Sequence, residues 1–267
     1  MKTFVLSTTA ILLAATSIAP LRAADRPDKK ELISQARSMH YSMRREGLDS
    51  FQANISVNWE VVLKGQASTP EQKTNALRML NGLHFGQSFD AAGKSTITHR
   101  ADVPAPNAGV QAGYDQIFSG MDQAITGFMD TYKLFMVTSP FPETNSAYTL
   151  EDASYGYRLT YKDGNSDVTT RMTKDYEILE MIVNSPEFDS SVRPSYVKMN
   201  NQFVMNGYEG DYRPAKTKTG VVKLAATIDH TVVDGIRLPS RLHIKSSIDD
   251  MGSETELNFS DYTVKKK

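Results

Sequence analysis

The chain of 267 residues has no cysteine and a single tryptophan. Without thiols it can form no disulfide, no thiolate metal site and no lipid-modified cysteine anchor. Its stability must come from packing alone, which a chain of this length can supply. Charge of one sign is also lacking. Acidic residues number 31 and basic residues 30, mixed along the chain. That balance argues against nucleic acid or a strongly charged membrane surface as partner. Long apolar runs are missing too. The most apolar stretch, Phe4 to Ile18, is shorter than the roughly 20 residues that span a bilayer. The sequence therefore predicts no integral membrane protein.

What that stretch does have is the pattern of a secretory leader. Lys2 supplies the positive start, the apolar segment follows, and Pro20, Leu21, Arg22 and Ala23 close it. Leu21 and Ala23 suit signal peptidase, whereas a cut after Ala24 would place Arg22 at an unfavourable position. The expectation is a signal peptide over residues 1–23 and a single β-rich domain over residues 24–267. An exported chain without cysteine points to a bacterial periplasm, or to secretion. Lys265, Lys266 and Lys267 read as a solvated end.

Glu31 to Arg45 has helical spacing, with Leu32, Ile33, Ala36, Met39 and Met43 on one face. Phe51 to Leu63 then alternates apolar and polar residues over one long strand, broken only at Val62. Ser68-Thr69-Pro70-Glu71 opens a helix that runs to Asn81-Gly82. Two strands follow around Ala91-Ala92-Gly93. After a loop with Pro104, Pro106, Gly109 and Gly113, a second amphipathic helix is predicted from Tyr114 to Val137, ended by Pro140 and Pro142. The two glycines would suit a hinge or simple loop residues. From Ala147 onward strands succeed one another through short turns, which implies antiparallel pairing. Among them are Tyr196 to Met205 and a last pair around Asp234-Gly235.

Few motifs carry chemistry. Ser195-Tyr196-Val197-Lys198 and Lys218-Thr219-Gly220 spell two signatures of penicillin-recognising enzymes. That nucleophile opens a helix, whereas Ser195 follows Pro194 into an extended run that separates Ser195 from Lys198. The histidines, His40, His84, His99, His230 and His243, have no metal-binding spacing, although the hairpin could bring His230 near His243. Glu151-Asp152 and Asp249-Asp250 sit in turn-like contexts. The expectation is a protein that is not an enzyme, with no catalytic residue, metal or cofactor.

The second helix instead offers a soft apolar face. Phe118, Met121, Phe128, Tyr132 and Phe135 lie on it, and Trp59 lies on the strand expected to face it. Methionine adapts to irregular apolar partners. These six residues are the candidate lining of a cavity for a lipid or other hydrophobic small molecule. The alternative assigns them to an ordinary packed core.

A resemblance bears on that choice. Val233-Asp234-Gly235-Ile236-Arg237-Leu238-Pro239-Ser240, followed by Asn258-Phe259-Ser260-Asp261-Tyr262-Thr263-Val264, resembles the last hairpin of the outer-membrane lipoprotein carrier (LolA-like) superfamily. The order of elements is similar over most of the chain after the leader. The resemblance implies a mostly β fold with helices: a curved antiparallel sheet or unclosed β-barrel, with an N-terminal helix and a helical lid, holding acyl chains. No position here matches the functional arginine of those carriers, so the resemblance assigns no site residue, and the chain is longer than they are. The function expected is a periplasmic, non-catalytic carrier or sensor of lipid. The alternative is a secreted β-module that binds an envelope protein or polysaccharide and encloses no cavity.

Overall fold

The computed structural model describes residues 28–64, 69–214, 220–248 and 251–267. The expected signal peptide lies outside them, as do Ser68, the Lys218-Thr219 pair and Asp249-Asp250. The described chain is mostly antiparallel sheet, joined by four helices.

Helix α1 covers Lys29–Met39, with the Asp28 side chain capping its start by accepting from the Lys30 N–H. Leu32, Ile33 and Ala36 are its buried stripe. Strand β1 (Leu48–Val57) buries Phe51, Ala53, Ile55 and Val57 and exposes Gln52, Asn54 and Ser56. It does not run on to Leu63. The Asn58 N–H donates to the Glu256 carbonyl at 2.9 Å, and the chain turns into the short helix α2 (Trp59–Val62). Val62, the one break in the alternation, marks this change. Helix α3 (Pro70–Leu80) starts with a reciprocal box between Thr69 and Gln72. The hairpin β2 (Leu83–Phe89) and β3 (Ser95–Ala101) follows.

Helix α4 (Ala108–Tyr132) begins six residues before the expected start. The Asn107 side chain accepts from the Val110 N–H at 3.0 Å, so Gly109 and Gly113 are helical and form no hinge. A π-helical turn, Lys133–Val137, extends the helix. Its last carbonyls are satisfied from elsewhere: Met136 and Val137 accept from the Met43 and Arg44 N–H groups.

The remaining strands run as a meander: β4 (Tyr148–Ala153), β5 (Gly156–Asp163), β6 (Ser166–Met172), β7 (Ile178–Asn184), β8 (Phe188–Met199), β9 (Gln202–Pro214), β10 (Val222–Val233), β11 (Ile236–Ile248) and β12 (Met251–Lys266). Strand β1 pairs beside β12, which places β2 and β3 at one edge and β4 at the other. All neighbours are antiparallel, and β3 and β4 do not pair, so the twelve-stranded sheet is unclosed.

The expected strand from Tyr196 to Met205 is really a hairpin. Asn200 and Asn201 both take left-handed backbone, with φ of 50° and 60°, and reverse the chain between β8 and β9. Asparagine tolerates that conformation, and two such residues match the twist of flanking strands. Pro194 and Pro239 lie inside β8 and β11, each beside a register shift where ladder bonds are already interrupted. The buried side chains of the sheet, α1 and α4 form one continuous core.

Candidate functional site

Helix α4 lies across the buried face of the sheet. Near its start Phe118 stacks on His99 of β3 at 4.1 Å and meets Phe85 of β2 edge-on at 5.7 Å. Further along, Phe128 reaches Phe259 of β12 at 6.3 Å, and Tyr132 stacks near His230 of β10 at 6.1 Å. By Thr131 the helix has reached β9, where the threonine and Tyr212 hydroxyls are 3.2 Å apart. Over this length its apolar face is filled by core. Ile125 and Tyr132 are wholly buried, and Met129 nearly so.

Beyond β9 the filling gives way to a cleft of about 370 Å³, within the range of small-molecule sites. One wall is the end of the helix: Gly127, Asp130, Thr131, Leu134 and Phe135, spaced at three, four, seven and eight residues along one face. The other wall comes from β5 to β9, with Tyr161, Val168, Met181, Val183, Val192 and Tyr212 as its larger members. Room exists because small residues stand at facing positions. Gly127 has nothing within 4 Å of where a Cβ would sit, and Ser166 and Ser190 occupy inward positions on the sheet. Phe188, which is partly exposed, stands at the rim.

The tyrosine hydroxyls of the cleft stay neutral. Burial raises the pKa of Tyr212 and of Tyr161, whose hydroxyl donates to the Pro140 carbonyl at 3.3 Å. Asp130 and Asp163 are the charged residues of the lining. The cleft is therefore an apolar slot with a few hydroxyls and an acidic edge.

Of the six candidates read from the sequence, Phe135 lines this cleft. Trp59 packs on α2 against Phe85 at a ring distance of 6.5 Å. Phe118, Met121, Phe128 and Tyr132 are buried in the core along α4, Tyr132 at its last position, and do not line the cleft. The cleft residues missed by sequence reasoning belong mainly to β5 to β9. Their signal was available: Gly127 on an apolar helix face, and serines where strand alternation calls for bulky side chains.

The other motifs do not assemble a site. His230 faces inward over Tyr132, while His243 faces outward with its Nε2 2.6 Å from Glu254 Oε1, so the two histidines do not meet. Ser195 lies on β8, and Lys198 is drawn over the Phe203 ring at 4.8 Å. Among the described residues, no group of three or more His, Asp or Glu side chains is placed to hold a metal ion. No helix among them is long and apolar enough to cross a membrane. Two other hollows, of about 380 and 460 Å³, share Asn54, Gly86, Thr98 and Asp261 on the outward face of the sheet. Their linings are mainly polar. In comparisons with known proteins, no family model, no curated protein and no solved structure matches the chain.

Proposed function

We propose that the protein is a non-catalytic periplasmic carrier or sensor that binds an apolar ligand in the cleft between the end of α4 and strands β5 to β9. The observation that carries this reading is the cleft itself, an apolar slot left open beside a core that is otherwise filled. At the ~30 Å³ that a water-sized group occupies in a liquid, it takes on the order of a dozen methylene-sized groups. Burying apolar surface contributes about 25 cal/mol per Å², less the cost of immobilising the ligand.

The unclosed antiparallel sheet with a helix across one face is in keeping with the carrier resemblance of the last hairpin. In this reading α4 covers the sheet as a fixed helix. Its aromatic and methionine face stabilises the fold, and the ligand is held only by its last two turns and the π-helical turn.

Nile red, a neutral apolar dye, tests the proposal. Wild-type protein should bind it at one site with a rise in fluorescence. Gly127→Phe should weaken that binding by about tenfold while leaving the circular dichroism spectrum unchanged, because the ring enters open space. No binding by the wild type, or equal binding by both proteins, refutes the cleft as the site.

A further inference from the structure

The charge around the cleft restricts what its occupant can be. The lining contains two charged residues, Asp130 on α4 and Asp163 at the end of β5. Both are exposed, and neither side chain has an ion pair or hydrogen bond among the described residues. The nearby lysines and Arg193 among the described residues are turned elsewhere. Lys133 follows Asp130 by three residues, but its Nζ lies close to Gly93 in the β2–β3 turn. Lys162, next to Asp163, is held by Asp167 at 2.9 Å and is exposed. Arg193 is held by Asp211 at 3.1 Å, with Glu180 and Glu209 nearby, and does not line the cleft. In sequence, residues 215–219 after β9 carry Lys216 and Lys218, which lie outside the described residues.

An apolar slot edged by two carboxylates, with no lining cation among the described residues, favours an amphiphile of one kind. Resting on the reading of the cleft as a ligand site, we infer that its ligand is a chain or ring system with a cationic head, an alkylamine-like molecule rather than a fatty acid or other anionic lipid. The apolar body lies against Leu134, Phe135, Met181, Val183 and Val192. An ammonium at the mouth can donate up to three hydrogen bonds, to the carboxylates and to the neighbouring hydroxyls. A carboxylate or phosphate head in the same place would meet two like charges, which opposes binding.

Displacement of Nile red by dodecylamine and by dodecanoate, both below their micelle concentrations at pH 7 and low salt, tests the inference. Dodecylamine should displace the dye about tenfold more effectively. The preference should shrink as salt is raised, since exposed charges are screened. In the double variant Asp130→Asn with Asp163→Asn, the two competitors should come within about twofold of each other. Both positions are exposed, so the variant should fold as the wild type does. Equal displacement, or stronger displacement by dodecanoate, overturns the cationic head and leaves the cleft standing. A preference for the amine that persists unchanged in the double variant also overturns it. No uptake of Nile red by the wild type would remove the cleft reading and this inference together.

Discussion

Lowering the pH from 7 to 5 should destabilise this protein through His40. The residue follows α1 and forms an isolated parallel bridge with Phe203. Its ring is only 2% exposed and is enclosed by Phe141, Tyr196 and Phe203, with centroids 5.1 to 5.2 Å away. Nε2 lies 2.8 Å from the Tyr176 carbonyl. A carbonyl can only accept, so Nε2 carries the hydrogen and Nδ1 does not. Nδ1 is buried with no hydrogen-bond partner, and a proton placed there would have no acceptor. Burial accordingly pulls the pKa from 6.5 down to about 4, opposed by the Tyr176 bond and reinforced by the charge of Arg45. In the unfolded chain His40 takes up its proton near pH 6.5, in the folded chain only near pH 4. Between those values the unfolded state binds more protons, so stability is full above about pH 6.5 and falls as pH drops toward 4. The gap from 6.5 to about 4, at 1.36 kcal/mol per unit, amounts to about 3 kcal/mol, of which about 2 is lost between pH 7 and 5. His230, held near 4 mainly by burial, adds to the slope in the same window. Asp102, Glu254 and Glu256, whose partners lower their pKa, act on stability in the same direction but mainly below pH 5, where unfolded carboxyls take up protons. The assay is urea unfolding at pH 7, 6 and 5, followed by the fluorescence of Trp59, which is the sole tryptophan and is buried. His40→Gln keeps an N–H for the Tyr176 carbonyl and removes the titration. Its stability should change by about 2 kcal/mol less than that of the wild type over this range. Parallel slopes in the two proteins, or a wild-type stability that does not change between pH 7 and 5, would refute the argument.

Other expectations follow from single positions. Ile125→Ala removes a fully buried side chain where α4 meets the core and should cost about 3 kcal/mol, read as a shift of the urea midpoint at constant slope. Asn201→Val forces a β-branched residue into left-handed backbone at the β8–β9 turn and should cost about 2 kcal/mol, whereas Asn201→Gly should be nearly neutral.

Much of the fold was legible in the sequence because local signals and tertiary context agree. The alternation of Phe51, Ala53, Ile55 and Val57 follows from one face being buried, and the Thr69-Pro70 start of α3 rests on capping chemistry that depends on few distant contacts. The errors arose where one signal masked another. Trp59, Val61 and Leu63 continue the period of β1, yet the Asn58 carbonyl accepts from the Val61 N–H and the Trp59 carbonyl from the Leu63 N–H, which turns the chain into α2, and the alternation does not record this. The Asn200-Asn201 turn was hidden inside an apparently continuous strand, although paired asparagines are a known signal for such reversals. The candidate site was legible only at Phe135. Large apolar side chains draw the eye, but a cavity forms where small ones stand opposite each other. Gly127, Ser166 and Ser190 come together only after the chain has folded.

The central claim is that an apolar ligand occupies the cleft at the end of α4. The most direct measurement is photolabelling of the purified protein with an aliphatic diazirine, mapped by peptide mass spectrometry. Labelling confined to Leu134, Phe135, Met181, Val183 and Val192, and suppressed by Gly127→Phe, is the predicted result. Labelling that instead falls on exposed apolar residues such as Ile248 and Met251, the latter 75% exposed, would contradict the claim.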